Sequence, residues 1–239
     1  VYSNLVKVGI EVMQEILLQN GYLEFNDQMK YDINDDTIDY YTGKTYKEFQ
    51  KTEKEREFHP ATFMRITGKL DDEDADQNEE KKKILDKYFN NVSNYEGKFL
   101  KIILGSVVMM EGITLENTGE VHIIDVHYTL GRIDQIIGRA IRQCKHYNVT
   151  NENNQFPEVK IYKYVVKLKN KLSSEEDLYR KAELKYLLIK KVERALKEVA
   201  IDCPINYAGN VFPEEVDENK GCFQPKIGAK IEKKKKLCT

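Results

Sequence analysis

A turn-spaced pair of arginines is the part of this sequence with the clearest chemical potential. Gln135, Gly138, Arg139 and Arg142 form the pattern Q-x-x-G-R-x-x-R in a stretch whose apolar spacing predicts a helix beginning near Leu130. Residues three and four apart share a helix face, so both guanidiniums should project together, with Gln135 one turn earlier and Gly138 leaving room for close approach. Two planar, permanently charged groups suit the charge-spreading oxygens of a transferring phosphoryl group, which is the task of an arginine finger.

Two apolar strands should position this helix, one at Ile102 to Leu104 and one at Val121 to Val126. Both are continuous apolar runs, as expected for parallel strands that are covered on both faces. Ligands of such sheets bind outside the carboxyl ends of the strands, where residues 106–114 and 128–135 fall. Backbone N–H groups just past a strand end can hold phosphate, so the loop after the first strand is a candidate phosphate site.

The two loops resemble motifs of a known enzyme family. The segment Ser106 to Thr114 resembles motif V of the superfamily 2 helicases, and Gln135 to Arg142 resembles their motif VI, in the order and separation of the second RecA-like domain. The nearest resemblance is to the helicase-like ATPases of large cytoplasmic DNA viruses, whose poxvirus members are an early transcription factor subunit and a nucleoside triphosphatase. It implies an α/β fold: a RecA-like, mostly parallel sheet flanked by helices, with a helical C-terminal extension.

The resemblance also implies roles for single residues. Gly112, Thr114 and Gly138 would lie toward a nucleotide, although the family commonly has Asp at the position of Thr114. Ser106 and Val107 would lie toward nucleic acid. Arg139 and Arg142 would reach the γ-phosphate, with Gln135 positioning nucleotide or water.

Two further residues are candidate nucleic-acid contacts. Ser3 ends an apparent strand that resembles motif IV, whose Ser or Thr lies near phosphate; the alternative is that Ser3 or Asn4 simply caps the helix that follows. Gly68 follows the predicted strand Thr62 to Ile66, and its turn either approaches a nucleic-acid backbone or is a plain turn.

Two segments imitate nucleotide motifs. Gly43-Lys44-Thr45 looks like the end of a P-loop, but Ile38 stands where the first glycine is required. The acidic run at 70–76 does not follow an apolar strand, so we interpret it as a solvated loop that leads into a helix over Lys83 to Asn90. ATP and Mg²⁺ should therefore be bound mainly by a preceding RecA-like domain.

Composition limits the remaining choices. The 239 residues have a formal net charge of -2, so a surface for a polyanion must be local. We expect a second RecA-like domain at 1–170 with a polar insertion near 26–58 outside the core, and a helical extension with an irregular basic tail at 171–239. Cys203, Cys222 and Cys238 are spaced too widely for a complete zinc site, so free thiols are expected and a partial zinc site is the alternative.

The extension should contain one long amphipathic helix. Ser173 and Glu176 form a capping-box pattern before a helix through about Ala200. Its apolar residues recur at helical spacing and predict core packing rather than a partner-binding groove: Leu184, Leu188, Val192, Ala195, Leu196 and Val199.

The sequence thus favours the C-terminal motor domain of an ATP-dependent helicase or translocase, inactive alone, that acts on DNA or RNA in viral transcription. A non-catalytic transcription-factor scaffold is the alternative, and a restriction or repair translocase is a third. Expected partners are nucleic acid, the preceding RecA-like domain and RNA polymerase or a transcription complex. With no signal peptide or long apolar run, we expect an intracellular, soluble protein, in the host cytoplasm or virus factory and in the virion if it is viral.

Overall fold

The fold is built on a parallel β-sheet into which the first residues of the chain are inserted. The computed structural model describes residues 1–67, 75–94, 96–107, 113–141 and 158–200. The strands are β1 (Leu23–Glu24), β2 (Thr62–Ile66), β3 (Ile102–Gly105), β4 (Glu120–Ile123) and β5 (Lys160–Lys163). Tyr2 forms parallel bridges to Gly105 and to Ile123, so the order across the sheet is β1, β2, β3, Tyr2, β4, β5. The predicted parallel α/β fold is confirmed.

Helices alternate with the strands along the chain. They are α1 (Glu11–Gln19), α2 (Tyr46–Thr52), α3 (Ala75–Ile84), α4 (Leu130–Ala140) and α5 (Ser174–Val199). A π-helical turn leads into α1, and another continues α3 to Phe89. The predicted start of α4 at Leu130 and the predicted capping box of α5 at Ser173 and Glu176 are both confirmed.

Alternating side chains of the strands make two separate cores. On one face, Met64, Ile66 and Ile103 pack against Leu85 and Phe89, and the same face of β4 packs against α4. On the opposite face, Phe63 and Leu104 pack against the buried side chains of the first helix, Ile10 and Leu17. Neighbouring residues of a strand point to opposite faces, so burial on both sides explains the continuous apolar runs.

Gly21 follows the end of the first helix. Its φ angle is +79°, and a Cβ atom there would lie 2.0 Å from the carbonyl oxygen of Asp36. Only glycine adopts this backbone and tolerates so close an approach.

The expectation that residues 26–59 lie outside the core is wrong. Asp39 is fully buried, and its carboxylate accepts hydrogen bonds from the backbone of Tyr41 (3.1 Å), Thr42 (2.9 Å) and His59 (3.2 Å). The segment also contains α2, whose capping box is formed by Thr45 and Glu48. The apparent P-loop ending is therefore the start of a short helix. The sequence did not predict this core because the segment is polar and has no apolar periodicity. One buried carboxylate organises it instead.

The predicted boundaries of three elements also need correction. Helix α3 begins at Ala75, eight residues before the predicted start at Lys83, because Glu and Lys are good helix formers even without an apolar face. Strand β4 ends at Ile123, whereas the apolar run predicts a strand to Val126. Strand β5 ends at Lys163, whereas the apolar residues of its segment predict a strand from Lys160 to Leu168.

The prediction that the apolar stripe of α5 packs in the core is wrong. Leu184, Leu188, Val192 and Leu196 are each more than half exposed, and among the described side chains of this helix only Ala182 is buried. The middle of α5, around Ala182 and Tyr186, lies beside the first turns of α4. Within the part of the chain that the structure describes, no helix is both long and apolar enough to cross a membrane.

Candidate functional site

The carboxyl edge of the sheet brings together two of the predicted nucleic-acid residues. The backbone N–H of Ser3 donates to the carbonyl of Gly105 at 3.1 Å, which places Ser3 beside Ser106. Both side chains are almost fully buried, with exposures of 1% and 2%. The expectation that the Ser106 N–H is free is wrong, because it donates to the carbonyl of Ile66 at 3.2 Å. Val107 follows directly and packs partly against the α4 core.

Ser3 is held in place by a close approach of the first helix. A Cβ atom on Gly9 would lie 2.1 Å from the Ser3 hydroxyl oxygen, so a larger residue at position 9 would displace this side chain. The hydroxyl accepts the Leu5 N–H at 3.0 Å, one residue before the π-helical turn. Ser3 thus stabilises the turn into the helix. This role is close to the alternative prediction, in which Ser3 caps that helix.

Asp125 is a site residue that the sequence analysis missed. Both of its carboxylate oxygens lie 3.0 Å from the backbone nitrogen of Asn4, whose side-chain oxygen accepts the Tyr2 hydroxyl at 2.8 Å. Burial and the nearby Asp125 charge raise the pKa of Tyr2 to about 12. The sequence analysis placed Asp125 inside the predicted strand Val121 to Val126, whereas β4 ends at Ile123 and Asp125 lies just past the strand end.

A histidine and an arginine stand at the start of α4. His127 Nδ1 lies 3.2 Å from both the backbone nitrogen and the hydroxyl of Thr129, and Nε2 lies 3.5 Å from a guanidinium nitrogen of Arg132. Burial, followed by the positive charge of Arg132, lowers the pKa of His127. The neutral imidazole is therefore favoured next to this cation, and Arg132 brings a positive charge to the carboxyl edge.

Helix α4 is anchored on one side and open on the other. Ile133, Ile136 and Ala140 are buried against Tyr2 and β4. Gln135 and Gly138 are exposed on the opposite side. A Cβ atom added to Gly138 would meet no atom within 4 Å, so this chain alone does not require glycine there. We call the outward side of α4, with Gly131, Gln135 and Gly138, the open face, and Arg139 lies at its border.

Arg139 lies at the far end of this helix. The eleven residues of α4, at about 1.5 Å each, make the helix about 16 Å long, so its last residues lie far from the carboxyl edge. There the carbonyl of Arg139 accepts the Leu115 N–H at 3.1 Å, which places Arg139 close to Thr114. Arg139 is half-buried and lines a cavity of about 520 Å³ with Leu115, Asn117 and Ile136.

The predicted residues thus form two groups rather than one. Ser3, Ser106 and Val107 meet at the carboxyl edge, whereas Thr114 and Arg139 meet near the end of α4. The expectation that the helix continues to Arg142 is wrong: it ends at Ala140, and β-branched Ile141 has an extended backbone with φ -114° and ψ 91°. The remaining candidates lie outside the described residues: Gly68, Gly112, Arg142, Cys203, Cys222 and Cys238. No group of three His, Cys, Asp or Glu side chains suited to a metal ion occurs in the described ranges.

Asparagines support the second group, and the sequence analysis missed them as well. Asn90 donates to the carbonyl of Thr114 at 3.0 Å and accepts the Glu116 N–H at 2.9 Å. Asn117 donates to the carbonyls of Phe89 (2.8 Å) and Asn91 (2.6 Å), while its own oxygen is buried without a protein partner. These amides fix the loop that carries Thr114 against the end of α3. Buried amides of this kind leave no signal in a single sequence, because their partners are backbone atoms.

Comparison with known proteins identifies relatives in several large DNA viruses. The chain is 51% identical over 226 residues to a protein of Acanthamoeba polyphaga mimivirus named "Putative ATP-dependent RNA helicase", which covers 93% of this chain and 20% of the relative. It is 37% identical over 139 residues to a "Putative helicase" of Invertebrate iridescent virus 3, covering 56% of this chain and 14% of the relative. It is 27% identical over 204 residues to the early transcription factor large subunit homolog of African swine fever virus, covering 84% of this chain and 16% of the relative.

The chain spans about a fifth or less of the length of these three relatives. No protein family model matches it. Among solved structures, the C-terminal part of the Fun30 ATPase domain aligns with 76% of this chain and 38% of its own, at a TM-score of 0.40 and 16% identity. The relatives confirm the resemblance that the two motifs indicate: this chain belongs to the helicase family of large DNA viruses.

Proposed function

We propose that this chain is the arginine-bearing half of the motor of an ATP-dependent helicase or translocase. The observation that carries the proposal is the open face of α4. The helix is fixed to the sheet by buried Ile133 and Ile136, while Gln135 and Gly138 lie on its exposed side and Arg139 stands at its end. A rigid helix that presents a polar face suits contact with a second domain, because positioning is most of what phosphoryl transfer requires from a protein.

In this proposal the nucleotide lies in a cleft between a preceding RecA-like domain and the open face. ATP and Mg²⁺ are bound mainly by that preceding domain, since this sequence has no P-loop. Arg139 and Arg142 supply positive charge for the γ-phosphate, and Gln135 positions nucleotide or water. Gly138 allows the preceding domain to approach the helix closely, and Gly112 and Thr114 lie toward the nucleotide.

Nucleic acid is assigned to the carboxyl edge. Because the N–H groups of Ser3 and Ser106 are bonded within the sheet, contact there requires Val107, the Gly68 turn or the basic side chain of Arg132. The names of the mimivirus relatives favour RNA as the nucleic acid. The African swine fever virus relative favours a role in transcription, with RNA polymerase or a transcription complex as partner.

The test is the rate of ATP hydrolysis in the intact protein that includes the preceding domain. Arg139→Ala should lower the stimulated turnover by on the order of a thousand-fold while changing ATP binding little, as expected for an arginine finger. Arg180→Ala is the matched control, because Arg180 is an exposed arginine on a different helix, α5, and lies outside both motifs. Unchanged turnover in Arg139→Ala would reject the assignment.

A non-catalytic scaffold remains the second candidate, and the transcription-factor name of one relative is the observation that favours it. The two candidates differ in one measurement. A scaffold binds its transcription partners equally well with Arg139→Ala and shows no hydrolysis that RNA or DNA stimulates. Stimulated hydrolysis by the intact protein would reject the scaffold.

A further inference from the structure

Three aromatic rings form a stacked column across β4 and β5. The His122 ring lies 4.8 Å from that of Tyr162 and 6.0 Å from that of Tyr164, with interplanar angles of 11° and 15°. The Tyr164 hydroxyl is 2.8 Å from His122 Nδ1. Cross-strand register and this hydrogen bond therefore hold the rings in one orientation.

The column lies on the face of the sheet that does not carry α4. Val121 and Ile123 point to the α4 core, so His122 between them points to the opposite face, together with its register partner Tyr162. Helix α1 packs on this face against Phe63 of β2 and Leu104 of β3. Tyr162 is 38% exposed and Tyr164 is 45% exposed. The rings thus present aromatic surface to solvent and are not part of either core.

The chain that follows the column is strongly basic. Residues 160–172 contain five lysines and no Asp or Glu: Lys160, Lys163, Lys167, Lys169 and Lys171. Every residue in this stretch is exposed. In the described part of the chain, none of the ion pairs within 4.0 Å involves these lysines. Two acidic groups lie at this surface. Glu120 is 3.2 Å from His122 Nε2 and opposite Lys160, and the Glu175 carboxylate accepts the Val166 N–H.

We propose that this ring column and the lysine stretch form a second nucleic-acid surface, which binds single strands. Bases stack on the outer faces of Tyr162 and Tyr164, and the lysines contact the phosphates. Charge complementarity favours this ligand, because five positive charges concentrate beside the rings in a chain whose net charge is -2. Duplexes are excluded from the rings because their bases are already stacked on one another. The rings lie on the face of the sheet opposite α4, and the lysine stretch continues from the carboxyl end of β5, so this surface borders the carboxyl edge. Binding to it needs no nucleotide.

The chain offers a direct reporter for stacking, since it contains no tryptophan. A Tyr164→Trp variant carries a single tryptophan at the column, and its emission should be quenched when oligouridylate is added without ATP. Tyr41→Trp is the matched control. Tyr41 is exposed, and its segment, residues 26–59, lies at the opposite end of the strand order from β5. Quenching in both variants, or in neither, overturns the proposal.

Substitutions separate ring contacts from charge contacts. Tyr164→Ala should weaken oligouridylate binding by about ten-fold, and Tyr164→Phe should restore it, since stacking needs the ring and not the hydroxyl. Lys167→Ala with Lys169→Ala should reduce the slope of log affinity against log salt by about 0.7 for each lysine. Equal affinity of Tyr164→Ala and the unaltered chain overturns the proposal. Because binding is measured without nucleotide, these outcomes are independent of whether the intact protein hydrolyses ATP.

Discussion

Both carboxylate oxygens of Asp125 lie 3.0 Å from the backbone nitrogen of Asn4. This contact joins the loop after β4 to Asn4, where the first residues of the chain leave the sheet. Tyr2, which precedes Asn4, lies between β3 and β4 and so joins the two halves of the sheet. The Asn4 N–H would otherwise be a donor at the carboxyl edge without a partner in the sheet. Asp125 therefore has a structural role at the same edge to which nucleic acid is assigned.

The first prediction tests this role. Asp125→Ala leaves the Asn4 N–H without its acceptor and should lower the free energy of unfolding by about 1–3 kcal/mol. Asp32→Ala removes an exposed carboxylate and should change it by less than about 0.5 kcal/mol. Urea unfolding followed by circular dichroism measures both. Equal stability of the two variants would contradict a structural role for Asp125.

A second prediction concerns pH. Burial and Arg132 lower the pKa of His127 in the folded chain, so the unfolded chain, with its ordinary value near 6.5, binds the proton more readily. Stability should therefore fall as pH drops below about 6.5 and be fully present above it. His127→Gln should remove part of this loss, seen as a smaller decrease in unfolding free energy between neutral and mildly acidic pH.

His59 provides the comparison for that measurement. Burial, followed by the charge of Lys98, lowers its pKa in the same direction. His59→Gln should remove a separate part of the acid sensitivity, and the double variant should remove both parts, since the residues are far apart in the sheet order. An unchanged pH profile in His127→Gln would mean that the imidazole near Arg132 does not influence folding.

The sequence predicted elements well wherever apolar side chains set the structure. Strands β2 and β3 and helix α4 bury regular runs such as Phe63, Leu104 and Ile133, and periodicity alone locates them. Periodicity failed to predict the structure where polar groups determine it. Asp39 organises a core in a polar segment through hydrogen bonds to distant backbone atoms, and no periodic signal marks such a residue.

The candidate site was predictable only in part, for a related reason. Motif spacing identified Arg139, Gln135 and Ser106, but not their separation into two groups. That separation follows from the length of α4 and from where the helix ends. Neither Asp125 nor Asn90 was predicted, because the partners of both are backbone groups that only the folded chain brings near.

Helix α5 shows the opposite error, since its stripe is periodic but exposed. Leu188→Ala should change the unfolding free energy by less than about 0.5 kcal/mol, because Leu188 is 64% exposed. Ile133→Ala, at a position that is 1% exposed, should cost about 2–5 kcal/mol. Chemical denaturation of both variants measures the difference. A large cost for Leu188→Ala would show that the stripe is covered in solution.

The last prediction separates what Gly138 does for this chain from what it does for a partner domain. Its Cβ position is open and it lies inside α4, so Gly138→Ala should stabilise the fold by up to about 1 kcal/mol. Gly131→Ala, two turns earlier in the same helix and equally open, should stabilise it by a similar amount. If the preceding RecA-like domain closes on the open face near Arg139, only Gly138→Ala should also lower stimulated ATP turnover in the intact protein. Thermal unfolding and hydrolysis measured on the same preparations distinguish the two effects, and equal turnover in both variants would mean that no domain approaches the helix closely at Gly138.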